Sequence, residues 1–348
     1  MLYPFIFQPI LKERIWGGRE LERLYAKPLP PGKPIGESWE ISDRPGDASV
    51  IANGALAGKT LRWLMENHAA EILGKAKPAA EGRFPLLCKI LDAREKLSLQ
   101  VHPPADKAKK LKGEPKTEMW FIADAAPDAS LYVGLKRGVT RSEFEKKIAD
   151  GSVADCFHRI LVRAGDAMFL PSGRVHAIGD GLVIFEIQQN SDTTYRVFDW
   201  NRVGLDGKPR ELHVAQSLAS IDFNDFEPKL VDAKFHGNEF VKTRQLVFDT
   251  LFSVEHWEMV PKVPEKLTDL PRYRRSPAAL LTPIALGGLS PHELQIVAVV
   301  KGELEVSSGT TVINLSAGQF CLIPASLDRT EIAAESNTTL LRVVPNCF

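Results

Sequence analysis

The chain has 348 residues, more than one average domain needs and enough for two. Apolar residues make up 44 %, so large cores are within reach and a disordered chain is excluded. Lysine plus arginine and aspartate plus glutamate each number 44; this balance gives no global pull toward nucleic acid or an anionic membrane, and an anionic ligand must be held by a local basic cluster.

The apolar stretch from Met1 to Leu11 lacks a basic start and a small-residue cleavage site, and it reads as a strand rather than a secretion signal. No run is long enough to span a bilayer. Cys88, Cys156, Cys321 and Cys347 form no C-x-x-C pair, as expected for reduced thiols in a cytoplasmic protein. A helix is predicted from Thr60 through Leu61, Leu64, Ala69, Ile72 and Leu73. Short strands follow over 97–102, 118–123 and 129–133. A second helix opens at Thr140-Arg-Ser-Glu143, a capping-box pattern, with Gly151 as its stop. Strands over 167–170 and 182–188 and a helix from Glu211 to Ser220 come next. Residues 224–228 read as a junction and 261–277, rich in Pro, Lys and Arg, as a surface loop. Strands over 294–300 and 339–344 close the chain. Helices inserted among many short strands point to a mainly β protein of sandwich or barrel type, not a doubly wound parallel sheet.

Ala164-Gly-Asp-Ala-Met-Phe-Leu-Pro171 is echoed by Ala317-Gly-Gln-Phe-Cys-Leu-Ile-Pro324. In each, glycine makes a tight turn and proline ends ladder pairing at the strand end. This G-x-x-x-x-hydrophobic-P pattern resembles that of cupin barrels. Val300-Lys-Gly-Glu-Leu-Glu-Val306 reads as a strand–turn–strand unit around Gly302 and supports the later copy. The expected architecture is two cupin-type jelly-roll barrels with small helical insertions at about 55–80 and 140–150. A catalytic barrel would cover 1–223, and a metal-free barrel 229–348.

Lys96-Leu-Ser-Leu-Gln-Val-His-Pro103 alternates strictly, which puts Ser98, Gln100 and His102 on one strand face and Leu97, Leu99 and Val101 on the other. In a barrel the polar face can line a cavity, where Gln100 and His102 project side by side. Glu118, at the start of the next strand, and His176, just past the barrel proline, complete a candidate N/O ligand set. Such a set suits Zn2+, with Fe2+, Mn2+ or Co2+ as alternatives, better than Mg2+ or Ca2+. The position matching His176 in the second copy is Arg329, hence the metal-free expectation there.

Five motifs in order carry a closer resemblance: Pro85-Leu-Leu-Cys-Lys-Ile-Leu, Leu97-Ser-Leu-Gln-Val-His-Pro103, Lys116-x-Glu118-Met-Trp, Gly173-x-x-His176-Ala and Asn190-Ser-Asp-Thr-Thr-Tyr-Arg196, with Trp16-Gly-Gly and Gly36-Glu-Ser-Trp-Glu-Ile-Ser42 agreeing as well. Together they resemble type I phosphomannose isomerase in its short bacterial form. The resemblance implies Gln100, His102, Glu118 and His176 as ligands of one Zn2+ ion, Arg196 as an active-site arginine, and Lys116 and Asp192 beside it. Where longer members carry Thr-Pro-Lys, this chain has Arg196-Val-Phe-Asp-Trp-Asn-Arg202.

The implied reaction is aldose–ketose isomerisation of mannose 6-phosphate and fructose 6-phosphate through an enediol. Lys116 shares a strand face with Glu118, and burial beside a cation is expected to lower its pKa and suit it to proton transfer. Asp192 is expected to act as its partner base or to orient it. The fork of Arg196 suits an enediolate or a phosphate. Ser98, Lys89 and Arg202, with Lys208, are the phosphate candidates. Competing readings are another metal-dependent cupin enzyme acting on a sugar, and a non-catalytic sugar-binding regulatory protein. No nucleic-acid or membrane partner is implied, and a monomer is compatible with the chemistry.

Overall fold

The computed structural model describes residues 2–261 and 289–345. From residue 262 onward the predicted loop at 261–277 lies outside the described residues, as does Cys347. Strand dominates, with twenty-three strands against six short α-helices among the described residues. No helix among them is long and apolar enough to cross a membrane.

The chain groups into two compact, discontinuous units: Pro9–Asp47 with Phe84–Val231, and Met1–Gln8 with Ala48–Arg83 and Asp232–Phe348. The stretch read as a junction stays with the first unit for a hydrogen-bonding reason. Leu135 N donates to Asp225 O (2.9 Å), and Glu227 N donates back to Leu135 O (2.9 Å). The N-terminal stretch expected to be one strand is two, Phe5–Ile6 and Ile10–Gly18. Pro9 between them has no N–H to continue a ladder.

In the unit containing 84–231, a six-stranded antiparallel sheet runs in the order Ala167–Leu170, Glu118–Ala125, Leu182–Gln189, Leu86–Ala93, Ile35–Ile41, Ile10–Gly18. A five-stranded sheet runs Phe157–Leu161, Ser130–Leu135, His176–Ile178, Leu99–Val101, Tyr195–Phe198. Trp120, Ile122, Leu182, Ile184, Leu91 and Ala93 from the first sheet meet Leu131, Val133 and Ile178 from the second in one buried cluster. Each such side chain contributes roughly 1.5–3 kcal/mol by leaving water. Strand alternation then puts three charged residues on the same inner face: Glu186 two residues after Ile184, Lys89 two before Leu91, Glu118 two before Trp120. The sandwich is therefore apolar at one end and charged at the other. Leu99 and Val101 point outward into a separate cluster with Phe144, Phe157 and Val197, so Gln100 between them points inward.

The helices follow their caps. Thr140 Oγ1 accepts from Glu143 N (3.2 Å), and Arg141–Asp150 ends at Gly151 with φ 81°. Thr60 caps Leu61–Asn67, but the helix expected through Leu73 breaks at His68 and resumes as Ala69–Leu73. The helix expected from Glu211 starts at Val214. The internal echo places two strands at the same offset, Ala167–Leu170 and Phe320–Ile323. Gly165 (φ 92°) and Gly318 (φ 82°) precede them, donating to Ile122 O and Val299 O respectively. In the other unit, a seven-stranded and a three-stranded sheet share a cluster of Val297, Val299, Leu304, Val306, Leu315 and Leu340.

The glycines near Trp16 mark close backbone approach. A Cβ on Gly17 would stand 2.3 Å from Gly36 N, and one on Gly36 would meet Trp16 (2.6 Å) and Arg14 Cβ (2.7 Å). Gly17→Ala is expected to lower the urea midpoint by the equivalent of about 1–3 kcal/mol, the usual cost of overpacking; a midpoint equal to the parent's contradicts this packing.

Candidate metal centre and its cavity

Two rows of side chains build the site. In the five-stranded sheet, register pairs His176 with Gln100 and Gln100 with Arg196, placing the three side by side. In the six-stranded sheet, Glu118 opens its strand opposite Gln188 and Leu170. His102 follows Val101 and is buried.

The backbone fixes the tautomers of both histidines. His102 Nδ1 donates to Thr193 O (2.8 Å) and His176 Nδ1 donates to Arg174 O (2.9 Å), because a carbonyl can only accept. Each Nε2 is left with its lone pair directed inward. Glu118 is fully buried, and its Oε1 lies 3.3 Å from His176 Nε2 and 3.6 Å from His102 Nε2 without accepting a hydrogen bond. Ligand atoms of His102, Glu118 and His176 all lie within 4.8 Å of one another. Glu118 Oε1 and the two Nε2 lone pairs thus converge away from water, and the donor set fits a borderline divalent metal. Gln100 lies against it, its amide 3.3 Å from His176 Nε2 and 3.3 Å from Ser98 Oγ. A half-turn of that amide presents its oxygen to the same point. Trp120 packs edge-on against the His176 ring at 5.3 Å. Burial, with Lys116 close by, pulls His102 down to about 4, and burial lowers His176 as well, so both imidazoles are neutral at neutral pH.

From this centre a row of alternating charge crosses the sheet. Lys116 Nζ is 2.6 Å from Glu118 Oε2, 3.3 Å from His102 Nε2 and 3.7 Å from Glu186 Oε1. Glu186 faces Lys89 (3.3 Å) and accepts a hydrogen bond from Trp120 Nε1 (2.9 Å). Lys89 reaches Glu37 (3.8 Å), which accepts from Trp39 Nε1 (2.5 Å) and from Arg14 Nε (2.7 Å). Burial works against the Lys116 ammonium, but Glu118 and Glu186 outweigh it and hold its pKa above the usual lysine value. The lowered value expected from the sequence counted a bound cation beside Lys116; Glu118 and then Glu186 act in the other direction. Burial likewise opposes the Glu37 carboxylate, yet Lys89 and Arg14 bring it down to about 2.

A cavity of about 560 Å3 opens onto this row. Lys89, Ser98, Gln100, Lys116, Asp192 and Arg196 line it, together with Arg14, Trp16, Glu37, Glu186 and Arg210, which sequence reasoning passed over. Their signal was the strand alternation around Trp16 and Glu37, whose partners only the sheet order reveals. Arg202 does not line it. Its guanidinium donates to Lys96 O (2.6 Å) and Asp199 (2.8 Å). Lys208 also lies outside it. Arg196 donates Nη1 to Glu211 O (2.9 Å), while its buried Nε has no partner. Burial, then Arg210, pushes its pKa below the usual arginine value.

Residues 5–119 match the profile of the type I phosphomannose isomerase catalytic domain. The chain is 35 % identical to the mannose-6-phosphate isomerase ManA of Bacillus subtilis over 327 residues, 93 % of this chain and 94 % of that one. The chain belongs to the type I phosphomannose isomerase family. A mannose-6-phosphate isomerase of Streptococcus mutans is 34 % identical, covering 87 % of this chain and 92 % of its own length. Among solved structures, the mannose 6-phosphate isomerase of Bacillus subtilis superposes with a TM-score of 0.83 at 29 % identity, covering 98 % and 99 % of the two chains. A zinc-bound mannose 6-phosphate isomerase shares the fold with a TM-score of 0.75 at 16 % identity, over 99 % of this chain and all of that one.

The histidine shift fixes a pH dependence for the metal-free protein. His102 falls from an ordinary value near 6.5 to about 4 on folding, so between those values the unfolded chain binds a proton that the folded site refuses. Stability is complete above about pH 6.5 and falls by about 3 kcal/mol as pH drops toward 4. Urea titrations at pH 7 and 4.5 check this, and the loss should shrink in His102→Asn. At neutral pH, His102→Ala is expected to lose bound metal; full occupancy by elemental analysis would remove His102 from the ligand set.

Proposed function

We propose that the chain interconverts mannose 6-phosphate and fructose 6-phosphate, with one zinc ion held by Gln100, His102, Glu118 and His176. The observation that carries the reading is the buried convergence of Glu118 Oε1 with the two imidazole lone pairs, next to Gln100 and Lys116, which line one cavity with Arg196. Family membership supplies the sugar phosphate. In the same reading each unit is a cupin-type jelly roll. The metal belongs to the one that holds 84–231, which takes up most of the catalytic barrel expected at 1–223, and the barrel expected at 229–348 carries none.

Zinc bound there supplies an electrophile for the negative charge that develops on the C1 and C2 oxygens. The remaining steps fall to the chain's own side chains. Asp192 lines the cavity and makes no ion pair or hydrogen bond among the described residues, so its carboxylate is available to take the proton from C2 and return it to C1. Glu37 and Glu186, by contrast, are bound by cations. Lys116 presents an ammonium beside the ligand set, where its positive charge favours the anionic form of the substrate. Arg196, with its Nε unengaged, orients the substrate and stabilises the anionic form. Ser98 and Lys89 lie between these groups and offer an alcohol and a cation to the sugar hydroxyls.

A coupled assay following fructose 6-phosphate formation tests this. Activity should disappear on chelation and return with zinc; no turnover in zinc-loaded protein sinks the reading. Arg196→Ala should fold and bind metal normally but turn over about 100-fold more slowly, or worse, as when a preorganised donor is lost. Near-parental rates would take Arg196 out of the mechanism.

A further inference from the structure

Resting on the isomerase reading, we propose that Arg14 is a specificity-determining residue that receives the 6-phosphate of the substrate. Five cationic side chains line the cavity: Arg14, Lys89, Lys116, Arg196 and Arg210. Most of their donors are committed. Lys89 and Lys116 are buried between carboxylates, and Arg210 is bound to Asp199 through both Nε (2.7 Å) and Nη2 (2.5 Å). Arg196 stands beside Gln100 at the metal end. Arg14 spends Nε on Glu37 and one Nη1 proton on Glu13 O (3.3 Å), which leaves its Nη2 edge without a partner among the described residues. About a third of its side chain is exposed, the state of a group that faces a cavity.

The direction also fits. Glu118, Glu186, Lys89, Glu37 and Arg14 stand on five successive strands, with the metal ligand at one end and Arg14 at the other. A sugar whose C1 and C2 lie at the metal end must send C6 and its phosphate away from it. Arg14 is rigid where a surface arginine is not. Its stem lies against the backbone at Gly36, where any Cβ would meet Arg14 Cβ and Cγ at 2.7 and 2.9 Å, and Glu37 holds the Nε edge. An oriented guanidinium with one open edge is the geometry that recognises a phosphomonoester.

Arg14→Lys keeps a charge for Glu37 but removes the fork, and Arg14→Gln with Glu37→Gln leaves no buried charge unpaired. Both are compared with the parent, zinc-loaded, for isomerisation of mannose 6-phosphate and of unphosphorylated mannose, and for binding of inorganic phosphate by phosphorus NMR titration. Zinc content is measured throughout. The expected result for the double variant is a KM for mannose 6-phosphate raised roughly 10–100-fold, the value of one charge-assisted hydrogen bond. Phosphate binding should weaken by a similar factor, with little change in kcat, in the rate on mannose or in zinc content. Parental KM and parental phosphate affinity in both variants would overturn the assignment. If the parent itself does not isomerise mannose 6-phosphate, the isomerase reading falls, and the phosphate titration still decides for or against Arg14.

Discussion

A fully buried carboxylate organises this molecule. Glu118 has been taken out of water, at a cost of several kilocalories per mole for an ion left alone, so its two oxygens must find positive charge. Lys116 answers one, and the other is turned toward two imidazole lone pairs. Each answer creates the next demand. Lys116 is itself buried and calls for Glu186; Glu186 calls for Lys89 and the Trp120 indole; Lys89 calls for Glu37; Glu37 for Trp39 and Arg14. Removing one member of a buried pair strands its neighbour, typically at 3–5 kcal/mol. The metal centre is thereby tied to an N-terminal strand four strands away, and the row can hold its shape before any ligand arrives.

The same strands supply core and site because of the two-residue period of a β-strand. Once Ile184, Leu91 and Trp120 are fixed in the apolar cluster, Glu186, Lys89 and Glu118 have no choice but to share that face at the opposite end of the sandwich. A one-residue slip in any of these strands would turn its charged and its apolar inward residues together onto the other face, so packing at one end enforces electrostatics at the other.

That period also decides what the sequence could disclose. Gln100 and His102 were legible because strict alternation in 96–103 left them on a polar face inside an otherwise apolar run. The outward burial of Leu99 and Val101 is what that alternation demanded. The Gly–Pro echo was legible because turn chemistry is local, and both glycines have positive φ. Arg14, Glu37 and Glu186 stayed hidden. Each sits in a segment that reads as ordinary strand, and its meaning comes from neighbours that sheet order brings in from far along the chain, such as Glu186 opposite Lys89. The upward shift of Lys116 was hidden for the same reason. The grouping of 48–83 with the C-terminal half was equally unreadable, because no local signal in that stretch names its partner.

A chain with no net charge can still hold an anion if one cation is left short of partners. The row from Glu118 to Arg14 is balanced within itself, three cations against three carboxylates. The cavity lining is balanced as well, five cations against five carboxylates, but the partners are unevenly shared. Arg210, and Arg202 from outside the cavity, repel Arg196, and the buried carboxylate beside them, Asp199, is taken by Arg202 and Arg210. Arg196 is left with an unengaged Nε and like charges behind it. Crowding of that kind disfavours the arginine in isolation and is relieved when an anion enters, so the placement of one under-partnered cation, rather than any surplus in the composition or in the cavity lining, favours a negatively charged sugar.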